Sequence, residues 1–299
     1  MRDVAARFAA LFAGRGDVWG AVHGESIKHP LTLSLFVDHL FGDGSVGIYP
    51  LLNDGRVHWG CIDVDDGYDL IAVALNVHRA LKILGVTSWV ERSKGKGFHV
   101  WTLCSDWLPA EHMVAAQRAA CQLAHYSPKE VNPKQTSLAA GQVGNYVNLP
   151  YAKRWVAEHK RVVIDAALPT RQPIALGDFI DRATRSLNPP DVIAKAAALY
   201  RPPPPPRPVR IAPPVMDPTP RLRGVARKLF EEGPLPNLTT GRIDRSGGLQ
   251  RLAHLLKADG FTAGEALQLV MELDGRLGKY AGRQDAALQY QRIIERAYG

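Results

Sequence analysis

The chain has 299 residues, long enough for two domains that each bury a core. A formal charge of +8, from 37 Lys and Arg against 29 Asp and Glu, favours a polyanionic partner. Lacking a basic amphipathic anchor, a lipidation motif, an apolar leader or a spanning-length run, the sequence excludes a membrane role and predicts a cytoplasmic protein.

In chain order, Val4, Phe8, Leu11 and Phe12 fall at helical spacing, and Gly14 follows as a stop. Residues 16–29 read as loop, and Leu31 to Leu40 as a short helix closing at Gly42. Val46 to Leu52 reads as a strand that Asn53-Asp54-Gly55 turns into the next, which predicts a hairpin. Leu70, Val73, Ala74, Val77, Leu81 and Leu84 form a helical stripe ending at Gly85, with Asp66 as its expected N-cap. A second helix is expected over residues 110–125, and strands at Tyr146 to Leu149 and Val162 to Ile164.

The prolines from Pro202 to Pro220 predict a stiff linker. Beyond it the signals turn purely helical. Leu249, Leu252, Leu255 and Leu256 stop at Gly260, Thr262-x-x-Glu265 is a capping box for the next helix, and Leu288, Ile293, Ile294 and Ala297 form a third. The expected fold class is α+β, with mixed sheets and flanking helices over 1–200, a linker over 201–220, and a small all-α domain over 221–299.

Chemistry concentrates in two runs. In Val57-His58-Trp59-Gly60-Cys61-Ile62-Asp63-Val64-Asp65, polar and apolar residues alternate as in a strand. Asp63 and Asp65 then share a face about 7 Å apart and repel each other unless a cation lies between them, for which a hard divalent ion is suited. In Trp89-Val90-Glu91-Arg92-Ser93-Lys94-Gly95-Lys96-Gly97-Phe98-His99-Val100-Trp101, a glycine-rich turn joins two strands. Its glycines, hydroxyl and ammonium groups suit phosphates, although a solvated turn explains Lys94 and Lys96 equally well. Glu91 reads as a partner for Arg92. Cys61, Cys104 and Cys121 lack Cys-x-x-Cys spacing and read as buried, reduced thiols, without a disulfide frame or zinc knuckle.

Asp-x-Asp followed some thirty residues later by Ser-x-Gly-x-Gly-x-His-Val-Trp resembles the catalytic core of the archaeo-eukaryotic primase superfamily, in its primase-polymerases of phages, plasmids and conflict elements. Gly47-Ile48-Tyr49-Pro50-Leu51 upstream, and Glu130-Val131-Asn132-Pro133-Lys134-Gln135 and Gly144-Asn145-Tyr146-Val147-Asn148-Leu149-Pro150 downstream, keep the family's order. The resemblance covers residues 46–151 and implies a catalytic core with an RRM-like half. It implies two Mg2+ or Mn2+ ions held by Asp63, Asp65 and Glu130. Glu130 also reads as an exposed acid paired with Lys129 or Lys134.

The resemblance further implies that His99 faces the triphosphate of an incoming nucleotide beside Ser93. Lys94, Gly95, Lys96, Gly97, Lys134 and Asn148 complete the nucleotide contacts, and Gln135 and Asn145 lie beside them. Residues 221–299 resemble the helical domain that follows the catalytic domain in many phage primases.

The function so implied is DNA priming: a template-directed nucleotidyltransferase making primers on single-stranded DNA from nucleoside triphosphates and extending them, in phage- or plasmid-type replication. A replicative helicase domain or protein is a further expected partner. Two alternatives stay open: a non-catalytic single-strand- or origin-binding module, and a repair polymerase that only extends.

Overall fold

The computed structural model describes residues 1–21, 24–65, 69–128, 130–203, 211–212, 214, 216–236, 241 and 243–299. The chain divides into two compact units, Met1–Pro202 and Pro203–Gly299.

Unit 1 is an α+β fold. Its elements are α1 (Arg2–Leu11), β1 (Trp19–Gly20), β2 (Ser26–Ile27), α2 (Leu33–Phe41), β3 (Gly47–Ile48), β4 (Arg56–Val64), α3 (Leu70–Ile83), β5 (Trp89–Arg92) and β6 (Phe98–Pro109). They continue with α4 (Ala110–Leu123), β7 (Glu130–Asn132), β8 (Val147–Asn148), α5 (Lys153–Val156), β9 (Val162–Ile164), α6 (Leu176–Arg185) and α7 (Pro190–Ala197). The main sheet has the order β7-β4-β6-β5-β9, and a smaller one runs β2-β1-β3-β8. Every paired strand in both is antiparallel.

Period-2 alternation gives the main sheet two buried faces. Ile62, Val64, Val90, Val100, Val131 and Ile164 share one core with residues of α3, α4 and α7, among them Val77, Met113 and Ile193. Trp59, Cys61, Trp101, Leu103 and Val163 share a second core with residues of α1, α2, α6 and the small sheet, among them Phe8, Phe36, Phe179 and Ile48. The Trp59 and Trp101 rings lie 5.3 Å apart, and Phe12 meets Trp101 edge-on at 5.1 Å. His39 bridges elements within this second core. Its Nδ1 accepts from the Val46 N–H at 3.1 Å and its Nε2 lies 2.8 Å from the Pro150 carbonyl. Burial holds it neutral, with its pKa lowered to about 4.

Two sequence expectations are corrected. The turn at Asn53-Asp54-Gly55 forms, with Leu52 N–H donating to the Arg56 carbonyl at 2.9 Å. The hairpin does not, because β3 pairs with β1 and β8 in the other sheet. Pro50 follows β3 closely and cannot donate to a ladder, so the first strand stops after two residues. The N-cap of α3 is Asp69, whose carboxylate accepts from Ala72 N–H at 3.2 Å; Asp66 lies outside the described residues. Cys61, Cys104 and Cys121 are buried and free, and burial pushes the Cys104 and Cys121 thiols up to about 12.

Unit 2 is helical: α8 (Gly224–Glu232), α9 (Arg245–Ala258), α10 (Ala263–Leu277) and α11 (Ala286–Tyr298). Leu249, Leu252, Leu256, Leu269, Leu273 and Ile294 belong to its own core. The capping box of Thr262 and Glu265 opens α10, and Gly278, at φ 62°, closes it in the left-handed conformation that glycine tolerates. Asp274, in the last turn of α10, is fully buried. It accepts the backbone N–H groups of Lys279, Tyr280 and Ala281 and the Tyr290 hydroxyl, each at 2.8 Å. Among the described residues no helix is long and apolar enough to cross a membrane.

Candidate active site

Pairing registers carry the site. Glu130 on β7 stands opposite Asp63 on β4, Asp63 opposite His99 on β6, and His99 opposite Glu91 on β5. Residues paired directly across a sheet project from the same face. Four titratable side chains therefore form one row across four strands. Two residues along on the same face, Cys61, Trp101 and Trp89 are the next row, and all three pack in the second core.

Asp65 lies one residue past the end of β4 and is exposed. The turn between β5 and β6 closes by Ser93 N–H donating to the Gly97 carbonyl at 3.0 Å. A side chain at Gly97 would sit 2.8 Å from the Val64 carbonyl oxygen, whereas Gly95 has open space around it. Of the two glycines only Gly97 is demanded by close approach, and what approaches it is the end of the Asp63–Asp65 segment. Strand end and turn are thus locked together.

Asp63 has its pKa raised, first by burial and then by the neighbouring charges of Asp65 and Glu130, against the opposing pull of His99 and Lys134. His99 Nε2 lies 3.8 Å from Asp63 Oδ1. Burial opposes the imidazolium of His99, but the Glu91 carboxylate and Asp63 outweigh it, and its pKa is raised.

Glu130 Oε1 lies 2.6 Å from Lys134 Nζ. Asp63, Asp65 and Glu130 are hard oxygen donors in mutual electrostatic contact, which suits a hard divalent cation. No three His, Cys, Asp or Glu side chains converge tightly enough to hold a metal among the described residues. The ammonium of Lys134 pairs with Glu130, and Asp65 sits beyond the strand. Asp63, Asp65 and Glu130 are the kind of donors such an ion prefers, with Glu130 paired to Lys134.

The remaining expected contacts are dispersed. Ser93 is half-buried in the turn, and Lys96 is exposed. Lys94 lies over the Trp155 ring, 4.6 Å from its centroid, so α5 holds one of the two turn lysines. Asn148 is in the small sheet opposite Gly47, and its buried Oδ1 finds no partner among the described residues. Tyr146 covers the paired glycines Gly20 and Gly47, where a side chain on either would collide with its ring.

Two buried charged residues near the row escaped the sequence reading. Glu91 is fully buried, and its partners are His99 and Trp101 rather than Arg92, which is exposed. Arg161, 8 % exposed, takes a left-handed φ of 51° and feels the Glu91 charge. Strict alternation could have found the first: Glu91, two residues from Trp89, must face the same way as that aromatic.

Residues 22–175, just over half of the chain, match the family described as the archaeo-eukaryotic primase domain of the TOTE conflict system. The chain belongs to that family and carries an archaeo-eukaryotic primase domain. Among solved structures it is similar to a crystal structure of the primase RepB', at 14 % identity and a TM-score of 0.28, over all of this chain and 94 % of that one. No curated protein matches it.

Proposed function

We propose that the protein is a primase-polymerase that starts chains on single-stranded DNA and extends them by template-directed nucleotidyl transfer, as part of a replication or conflict element. The observation that carries this reading is the Glu130–Asp63–His99 row, which sets two carboxylates beside an imidazole next to a glycine-rich turn. Asp63 and Asp65 would hold Mg2+ or Mn2+, joined by Glu130. Such ions, when bound, lower the pKa of an attacking 3′-hydroxyl and neutralise charge on the leaving pyrophosphate. His99 Nε2, with Ser93 and the turn backbone, would orient the triphosphate. Lys134, released from Glu130, would serve a phosphate; Lys94, Lys96 and Asn148 complete the proposed contacts.

The helical unit, tethered through the proline-rich segment, would add grip on template or initiating nucleotide, where two free nucleotides have no duplex to lend affinity. It also offers a surface for a helicase partner.

The ion pair between Glu130 and Lys134 favours one competing reading, a nucleic-acid-binding module without catalysis. One assay separates them: the full chain with unprimed single-stranded DNA, labelled nucleotides and Mn2+ or Mg2+. Short products that vanish in an Asp63→Asn variant are expected; DNA binding without any product would establish the competing reading. A primed template run in parallel identifies an enzyme that only extends.

Glu130→Gln is informative by itself. The pair it breaks is partly exposed on both sides, so its loss should cost under about 1 kcal/mol of stability. A large loss of metal-dependent incorporation is expected. Near-normal incorporation would leave Glu130 as a surface partner of Lys134.

A further inference from the structure

Glu91 is the least exposed member of the acidic row, yet sequence spacing assigns it no part in metal binding. It is 0 % exposed on β5. One oxygen, Oε2, takes both the His99 Nδ1 at 2.9 Å and the Trp101 indole N–H at 2.6 Å. An indole nitrogen only donates, and a carboxylate oxygen only accepts. With Oε2 accepting, the proton between Glu91 and His99 belongs on Nδ1, whatever charge the ring carries. That leaves Nε2 as the nitrogen turned toward Asp63, 3.8 Å away and outside hydrogen-bond reach.

A carboxylate buried this completely is costly unless it is hydrogen-bonded and offset by positive charge. Beyond His99 and Trp101, the compensating charge is Arg161. Its guanidinium reaches the Leu149 carbonyl through one terminal nitrogen at 3.4 Å, while its Nε has no partner among the described residues. Glu91 Oε1 likewise has none among them. A purely structural group would be better served by an apolar residue of similar volume in this aromatic core.

We propose that Glu91 is a positioning residue that acts through His99: by accepting from Nδ1–H it fixes the ring, so that Nε2–H of the imidazolium faces, and donates to, the phosphates of an incoming nucleoside triphosphate. This rests on reading the row as a nucleotide site. Arg161 balances the Glu91 charge, and the Trp101 indole N–H binds the same carboxylate oxygen as His99.

The test uses the full chain with 15N-labelled histidine, the His99 signals being those absent from a His99→Asn variant. Above the imidazole titration, wild type should carry its ring proton on Nδ1. Glu91→Leu should move it to Nε2, the tautomer that a free imidazole favours. Glu91→Gln keeps an acceptor for both donors and should retain the Nδ1 proton.

Titration with a nucleoside triphosphate and Mn2+ gives the second readout. Glu91→Leu should weaken binding about 10- to 100-fold, the usual range for loss of an orienting partner. Single-stranded DNA affinity should not change, and Glu91→Gln should fall closer to wild type. A wild-type ring protonated on Nε2 would overturn the proposal. So would a folded Glu91→Leu variant with unchanged triphosphate affinity. If Glu91→Leu does not fold, the wild-type tautomer decides by the same criterion. Should wild type make no product on unprimed DNA while tautomer and triphosphate affinity respond as stated, priming fails and the role of Glu91 stands.

Discussion

Asp63→Asn is expected to abolish nucleotide incorporation, by at least about a thousandfold or some 4 kcal/mol of transition-state stabilisation at 1.36 kcal/mol per tenfold. Asp63 occupies the middle of the row, opposite both Glu130 and His99. Among the described acids of the site none could take its place, since Asp65 lies past the strand and Glu130 is held by Lys134. The fold should survive. Burial and the charges of Asp65 and Glu130 raise the pKa of Asp63. A carboxylate whose folded pKa is raised contributes stability below its unfolded value, near 3.9, and loses it as pH climbs through the folded value. At neutral pH the ionised group therefore burdens the fold, and Asp63→Asn should melt no lower than wild type. Adding Mn2+ should raise the melting temperature of wild type by mass action and leave the variant unmoved. Incorporation at wild-type rate by Asp63→Asn, or equal Mn2+ shifts in both proteins, would remove the metal role.

The second large effect is one of stability. Asp274→Ala should destabilise unit 2 by about 3 kcal/mol or more, because it strands three backbone N–H groups and a buried hydroxyl that share one carboxylate. An acid in the last turn of a helix is unfavourable toward the helix dipole, so these four bonds must be what keeps it there. Asp274→Asn should be a poor rescue, since its amide nitrogen would face donors.

Burial alone would raise the pKa of Asp274; the Tyr290 hydroxyl and the three N–H groups outweigh it and hold the group below the ordinary carboxylate range. The stability so gained is present above the unfolded value of about 3.9 and drains away as pH falls through the lower folded value. All six tryptophans precede residue 156, so indole fluorescence reports unit 1 alone. In Asp274→Ala the helical signal in circular dichroism should gain an earlier transition while the fluorescence melt stays put. Coincident, unshifted melts would show that the cluster contributes little.

Much of the main sheet was legible because its alternation is strict. The Asp63 strand, the glycine-rich turn and the strand through His99 and Trp101 all form as their spacing predicts. The capping box of α10 was legible for a similar reason, since both of its partners lie within four residues. What stayed hidden was cross-strand. Glu91 is one residue from Arg92 in sequence, and only the pairing of β5 with β6 shows that its partner is His99.

Membership of sheets was hidden in the same way, and β3 reads as half of a hairpin until its pairing with β8 is seen. The helices α6 and α7 carried usable signals that went unread. Phe179, Ile180 and Ala183 keep helical spacing, and Pro190 stands at the first position of α7, where its missing N–H costs nothing.

Because the row depends on registers, the site is governed by a count of residues as much as by their kinds. Gly97 is pressed against the Val64 carbonyl and cannot slide. From that anchor His99 is the second residue along, and Val100, fully buried, faces the opposite core. One residue inserted between Gly97 and His99 would exchange their faces, sending the imidazole among the helices and leaving its place beside the carboxylates to Phe98 or the inserted residue. The same insertion placed in the exposed stretch from Lys94 to Lys96 would lengthen the turn and leave every face as it was. Variation in length is thus permitted at the tip of this hairpin and forbidden three residues later.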